Sequence, residues 1–391
     1  MTTINSITDN VEEIITEINL LVKLKSGKKL NIKLGADPTK PDLHLGHLVA
    51  LRKLKQFQDL GHNIIFLIGD FTAKIGDPSG RNITRPILTD EEIEQNVKTW
   101  ITQVGKVIDV TKAQIRYNSE WFLSMNFQQW LNIIGKVSLS NVTEREDFQK
   151  RIKGGDHIAL SEIMYPVMQG YDSVVLKSDV ELGGQDQKLN MLMGRDFQSA
   201  YGQEKQDIIT MPLLLGTDGR KMSKSYDNYI GLNDHHNDAY GKLMSISDEL
   251  IEQYLKLATD FSAQDINEML KEIENGANPR DIKAKMAERI ISMYWGEEKA
   301  KEAKKHFETV FVKKENPEGI ELVKTSQDEI GLIDALVLSG FASSNSQARR
   351  LITQSAVKVE GEVVEDEYHT LDLGSPKLIQ VGKRRFIRIG K

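Results

Sequence analysis

The chain has 391 residues, 39% of them hydrophobic and 28% charged, the balance of an ordinary soluble globular protein with length for two or three domains. It contains no cysteine, which excludes disulfides and thiolate metal centres. The formal net charge of −6 does not suggest a nucleic-acid binder. Yet Lys377, Lys383, Arg384, Arg385, Arg388 and Lys391 close the chain unopposed by any acid after Leu373, and a local basic patch binds RNA whatever the total charge.

At the start, Val11, Ile14, Ile15, Ile18, Leu21 and Val22 have helical spacing, opened by Asp9 with Glu12 three residues on. The acidic residues here argue against a targeting peptide, and no apolar run is long enough to span a membrane, so a cytoplasmic protein is expected. Leu30 to Leu34 alternates as a strand, and a turn rich in Asp and Pro follows. From Leu43 the spacing is helical, through Leu48, Leu51, Leu54 and Phe57, which puts His44 and His47 one turn apart near a helix N-terminus. Free backbone N–H groups there favour an anion, and Gly46 carries no side chain to hold an adenine ring off the backbone. A solvated His pair or half a metal site would read the same, although no carboxylate or third His follows at a ligand spacing.

Asn63 to Asp70 is a near-continuous apolar run, as in a central parallel strand, and Gly76-Asp77-Pro78-Ser79-Gly80-Arg81 follows where ligand crevices open in such sheets. Tyr165, Gln169 and Asp172 fall at i, i+4 and i+7, one face of a helix among apolar neighbours, with a kink expected near Pro166 and Gly170. Burying such a triplet is costly unless it meets something polar, but a polar outer stripe has the same spacing. Val180 to Gln187 gives a strand, two glycines, then Asp186 and Gln187, able to read a ribose or a carboxylate. Ile208 to Gly216 reads as a buried strand running into a loop, and Lys221-Met222-Ser223-Lys224-Ser225 follows. Two ammonium groups on a mobile loop can close over a pyrophosphate and neutralise its charge as it leaves.

After Gly231 the pattern turns helical. Ser247 is a candidate cap, and Asn278-Pro279-Arg280-Asp281 is a strong helix start followed by Ile282, Met286 and Ile290. The acidic stretch Asn316 to Glu329 reads as a linker. Beyond it come helices from Leu332 and Ser344 and a strand at Val357-Lys358-Val359; Arg349 and Arg350 can meet phosphates or simply be solvated.

Taken together, His44-Leu45-Gly46-His47 and Lys221-Met222-Ser223-Lys224-Ser225 resemble the two signatures of class I aminoacyl-tRNA synthetases. The ordered set Gly69-Asp70-Phe71-Thr72, Gly76 to Gly80, Tyr165-Pro166…Gln169-Gly170-Tyr171-Asp172-Ser173 and Gly183-Gly184…Asp186-Gln187 resembles the bacterial tyrosyl-tRNA synthetases over nearly the whole chain. The resemblance implies an α/β fold with a Rossmann-like doubly wound parallel sheet (1–230), carrying an insertion at about 90–150 that serves the dimer interface. A helical anticodon-arm domain (231–325) and a small α+β S4-like RNA-binding domain (330–391) would follow.

It also implies residue roles. Asp172 accepts the phenol of L-tyrosine, Tyr165, Gln169 and Asp77 hold its ammonium group, and Gln187 approaches its carboxylate. His44, His47, Thr39, Lys221, Lys224, Arg81 and Arg85 serve catalysis. Asp37, Gly46, Gly184, Asp186, Met222, Ser223 and Ser225 line ATP, a substrate arriving with Mg²⁺ and no resident metal. Arg349, Arg350, Lys383, Arg384 and Arg385 contact tRNA(Tyr), and the protein is a homodimer. Three positions depart from the family pattern. Lys33 stands where a second phenol-reading tyrosine is often found, Gln185 where threonine is common, and Ser355 where glycine is common. Competing readings are a tryptophanyl sister enzyme, a small-molecule nucleotidyltransferase and a non-catalytic RNA-binding protein on the same body; the second usually lacks the Lys221–Ser225 signature.

Overall fold

The structure is a computed structural model and describes residues 4–77, 88–144, 146–312, 320–382 and 385–391. It divides into two compact units, Met1–Asn233 with Ile246–Asn275, and Asp234–Ser245 with Gly276–Lys391. Among the described residues no helix is long and apolar enough to cross a membrane.

The first unit is α/β. Its strands are β1 (Glu13–Ile15), β2 (Asn31–Ala36), β3 (Asn63–Ile68), β4 (Ala113–Tyr117), β5 (Val180–Gly184) and β6 (Asp207–Met211), in sheet order β1-β6-β5-β2-β3-β4. Five run parallel and β1 lies antiparallel on β6. The order reverses at β2: the chain passes outward to β3 and β4, then returns to β2's other edge with β5. That is a Rossmann-like sheet with its switch point between β2 and β5, where the crevice beyond the strand ends is formed. Residues Ile64 to Ile68 of β3 are buried, as an apolar central strand requires.

Helices α1 (Glu17–Lys25), α2 (Leu45–Asp59), α3 (Asp90–Val104), α4 (Ser119–Phe122), α5 (Phe127–Ile134), α6 (Leu139–Thr143), α7 (Glu146–Gly154), α8 (Leu160–Leu176) and α9 (Lys188–Ala200) connect these strands. After α10 (His236–Met244), which belongs to the second unit, α11 (Ile251–Ala258) and α12 (Ala263–Glu274) complete the first. The helix of α2 buries Leu48, Leu51, Leu54 and Phe57, the stripe read from spacing. Helix α8 is unbroken through Pro166, with no turn lost there or at Gly170. Gly170 serves packing instead: a Cβ there would come within 2.8 Å of Met193 Cγ and 2.9 Å of Phe197 Cδ2 on α9.

One local expectation is corrected. Helical spacing from Val11 gives way to β1, because Glu13, Ile14 and Ile15 pair with Thr210, Ile209 and Ile208 at the sheet edge; the helix begins only at Glu17. Within 90–150 the chain supplies β4, paired to β3 in the sheet.

The second unit gathers α10, α13 (Pro279–Trp295) and α14 (Glu297–Phe307) with a mixed α+β region. Asn278 caps α13 by accepting from the Arg280 N–H at 3.1 Å, with Pro279 in the first turn as the sequence indicates. Its strands are β7 (Leu322–Lys324), β8 (Glu329–Gly331), β9 (Val357–Val359), β10 (Glu362–Val363), β11 (Thr370–Asp372), β12 (Lys377–Val381) and β13 (Arg385–Gly390). They form sheets β10-β9-β12-β13-β7 and β11-β8. Helices α15 (Leu332–Leu338) and α16 (Asn345–Thr353) pack Leu332, Leu336, Ala348 and Ile352 against Val357, Ile379 and Ile389. The expected linker is partly strand, since β7 runs parallel to β13. At Ser355 the backbone is left-handed (φ 53°), the conformation for which glycine is favoured, and the hydroxyl donates to Glu365 Oε1 at 2.6 Å.

Candidate active site

The crevice at the switch point is a cavity of about 860 Å³ bounded by the carboxyl end of β2, the first turn of α2, the end of β5 and the Lys221–Ser225 loop. Asp37, Thr39, His44, Gly46, His47, Asp77, Gly184, Asp186, Gln187, Lys221, Met222, Ser223 and Lys224 all line it. Residues far apart in sequence are thus brought together around one space.

At the start of α2, His44 is the N-cap and its N–H donates to His47 Nδ1 at 3.2 Å; the two rings lie 3.9 Å apart. Burial lowers both imidazoles, His47 to about 4, with Lys224 and Lys221 adding like-charge repulsion to each and His47 to His44. Both are therefore neutral near pH 7 and act as hydrogen-bonding groups rather than cations. His44 Nδ1 is buried without a protein partner. A Cβ at Gly46 would lie 3.0 Å from that atom, so a side chain there would press on the His44 ring.

Opposite, the strand-like contact of Leu215 with Lys221 closes a tight turn through Gly219 (φ 80°). Asn228 organises it. Its amide donates to Asp218 Oδ1 (2.6 Å) and the Lys221 carbonyl (3.1 Å), and its oxygen accepts from the Ser223 N–H (2.8 Å). Lys221 Nζ pairs with Asp186 Oδ2 at 3.0 Å, and Lys224 donates to the Asp42 carbonyl.

Tyr165, Gln169 and Asp172 are not among the residues lining this cavity; Tyr165 joins it by a hydrogen bond to Asp37, Gln169 through Asn190 and Gln187, and Asp172 lies further along α8. On α8, Tyr165 and Asp172 are buried. Tyr165 donates to Asp37 Oδ2 at 2.8 Å, and Asp37 also accepts from Thr72 at 2.8 Å. So Asp37, expected on the ATP side, also holds the α8 tyrosine. Gln187 donates to Asp77 Oδ2 (2.7 Å), and Asn190 donates to both Gln187 (3.1 Å) and Gln169 (2.9 Å). Asp172 accepts from the Trp121 indole at 3.0 Å, and burial pushes its carboxyl up to about 8 against the pull of Lys33.

Trp121, Asn190 and Asn228 have no motif and emerge only from three-dimensional proximity. Arg81, Arg85, Lys383 and Arg384 lie outside the described residues, as does the side chain of Ser225. In the second unit Arg349 and Arg350 are exposed on α16, Arg349 3.3 Å from Glu367, while Arg385 donates to the Phe341 carbonyl at 3.0 Å.

Residues 25–312 match the family of tRNA synthetases class I (W and Y), and 312–389 match the tyrosine–tRNA ligase SYY-like C-terminal domain. The chain is 50% identical to the tyrosine–tRNA ligase of Thermotoga maritima, covering 97% of this chain and 95% of that one. It is 46% identical to that of Francisella tularensis, covering 99% and 98%. The solved tyrosyl-tRNA synthetase of Archaeoglobus fulgidus, complexed with L-tyrosine, shares the fold at a TM-score of 0.61 and 23% identity, over 76% of this chain and 97% of that one. On motifs, fold and similarity alike, the chain belongs to the tyrosine–tRNA ligase family of class I tRNA synthetases.

Proposed function

We propose that this chain joins L-tyrosine to tRNA(Tyr) in two steps. The tyrosine carboxylate attacks the α-phosphorus of ATP, forming tyrosyl-adenylate and releasing pyrophosphate. A ribose hydroxyl of the terminal tRNA adenosine then attacks the activated carbonyl and releases AMP. The observation that carries the reading is one cavity lined by His44, His47, Lys221 and Lys224, with a buried acid, Asp172, further along the helix that tethers Tyr165 to its wall.

The carboxylate is already nucleophilic, so the first step needs position and charge stabilisation rather than a base. His44 and His47 donate neutral hydrogen bonds at the α2 N-terminus. Lys221 and Lys224 meet the departing pyrophosphate, with Arg81 and Arg85 assigned beside them. Gly46, Gly184, Met222, Ser223 and Ser225 wall the nucleotide, Thr39 sits at its phosphates, and Asp186 takes the ribose once Lys221 turns to phosphate. Mg²⁺ enters on the ATP phosphates, keeping most of its waters.

Asp172 accepts the phenol hydroxyl. Phenylalanine brings no hydroxyl to that buried carboxyl and leaves it one partner short, which makes the site selective. Tyr165, Gln169 and Asp77 hold the ammonium group, and Gln187 the carboxylate.

The domains follow the same reading: 1–230 catalytic, 231–325 for the anticodon arm and 330–391 S4-like, with Arg349, Arg350, Lys383, Arg384 and Arg385 toward RNA. The protein acts as a cytoplasmic homodimer. Support for the dimer comes from Leu123, Phe127, Leu131, Leu139 and Leu160, apolar side chains exposed along the stretch from the end of α4 to the first residue of α8.

Incubation with ATP, tRNA(Tyr) and labelled tyrosine tests the full reaction. Acid-precipitable label is expected; its absence with folded protein would contradict the proposal.

A further inference from the structure

Beneath the proposed tyrosine site lies a charged group that the two-step reaction leaves unused. Lys33 of β2 and Glu181 of β5 are register partners across the switch point. Lys33 is 0% and Glu181 2% exposed. Lys33 Nζ lies 2.9 Å from Glu181 Oε1 and donates to Ser173 Oγ at 2.7 Å. Ser173 donates in turn to Glu181 Oε2 at 3.1 Å, and Gln206 donates to the same oxygen at 2.5 Å. Ser173 is the residue after Asp172 on α8, so the network holds the helix one position from the acid.

A buried ion pair is weak evidence for stability, because well-packed apolar residues often serve the fold as well or better. The location points to a different use. Asp172 is faced by Lys33 from β2, by Glu181 from β5, by Trp121 of α4 and the preceding Asn118, and by Tyr165 on its own helix, which Asp37 and Asp77 face in turn. Lys33 is the cation among these groups, and its attraction outweighs the repulsion from Glu181.

We infer that Lys33 is a positioning residue for the acid that reads the phenol: its ammonium, held by Glu181 and Ser173, sets the charge and orientation of Asp172, and with them the preference for tyrosine over phenylalanine. The inference rests on the proposed tyrosine site. A carboxylate accepts a phenol hydroxyl strongly and is penalised when phenylalanine leaves it one partner short. A protonated Asp172 discriminates less, because less desolvation cost remains uncompensated beside an aromatic ring without a hydroxyl. Lys33 opposes the protonation that burial promotes.

The test is tyrosine- and phenylalanine-dependent ATP–pyrophosphate exchange from about pH 6 to about pH 9, on full-length wild type and three variants. In the wild type, tyrosine KM falls as pH rises through the Asp172 titration near about 8. Lys33→Met removes the attraction and moves that inflection upward, raising tyrosine KM at neutral pH about tenfold or more with kcat little changed. Glu181→Gln removes the repulsion and moves the inflection downward. The double variant, Lys33→Met with Glu181→Gln, leaves no bare buried charge; it keeps the fold if either single variant does not, and shifts upward because the lysine effect is the larger. Discrimination against phenylalanine drops about tenfold wherever the inflection moves up. Opposite shifts from the two single variants are a signature that a merely structural pair would not produce. If folded variants kept the wild-type inflection and discrimination, the inference would be overturned while tyrosine activation stood. If the wild type itself showed no tyrosine-dependent exchange, the underlying site assignment would fail first.

Discussion

Lys221 of the loop after β6 and Asp186 of the loop after β5 meet across the cavity, Nζ to Oδ2 at 3.0 Å. In the proposed reaction both have other partners, the lysine a phosphate and the aspartate a ribose, so the pair must part when ATP enters. Being partly exposed, it contributes little to folding. Lys221→Ala should therefore lower the rate of adenylate formation by about 10²-fold while leaving the unfolding midpoint and tyrosine affinity nearly unchanged. Stopped-flow pyrophosphate release and a thermal melt check both halves.

The imidazole pair gives a pH-dependent prediction. Folding keeps His47 neutral down to about pH 4, whereas the unfolded chain protonates it near 6.5. Between those values the unfolded state takes up the proton, so stability declines as pH falls and is regained as pH rises. The gap corresponds to roughly 3 kcal/mol for His47, and His44 acts in the same direction. His47→Gln should flatten the acid limb of stability measured by urea unfolding across this range, and the activation rate should show no inflection near 6.5 from either histidine.

Asp172 carries the opposite sign. Its carboxyl is raised to about 8 in the folded protein, so between about pH 4 and 8 the native state holds the extra proton and stability falls as pH rises. Asp172→Asn should stabilise the fold at neutral pH, on the order of 3 kcal/mol, with the Trp121 donor still able to meet the amide oxygen. The same substitution should raise tyrosine KM by roughly 10- to 100-fold. Chemical unfolding and steady-state exchange, measured on one preparation, check this trade of stability for selectivity.

Phe127, which opens α5, is 77% exposed and Leu160, which opens α8, is 74% exposed. Introducing Phe127→Asp with Leu160→Asp should shift sedimentation from dimer to monomer. A wild-type monomer, or a double variant that remains dimeric, would contradict the proposed interface.

The sequence made β2, β3, β5, β6 and the α2 face legible, β3 as an apolar run buried along its length and α2 by its 3.6-residue spacing. In Asn31–Ala36 the expected alternation fails, because Lys33 is buried along with Ile32 and Leu34, and Ala113–Tyr117 is not legible as a strand. The start was misread because Ile14 and Ile15 fit a helix face by spacing yet gain more by closing the edge of β6. The acidic stretch before Glu329 hid β7, whose pairing to β13 is made by residues more than 60 positions on.

Within the site, the motif residues were visible one by one, whereas their supports were not. Trp121 reaches Asp172 across 51 positions, and Asn190 joins Gln169 to Gln187 from the next helix. Ser355 shows a different limit. There a serine adopts the left-handed backbone for which glycine is favoured, with its hydroxyl donating to Glu365, and nothing in the local sequence announces that conformation.

The most direct test of the account is ATP–pyrophosphate exchange with each standard amino acid in turn, without tRNA. Exchange dependent on tyrosine alone is the predicted result. Exchange driven by tryptophan, or by no amino acid in a folded preparation, would contradict it.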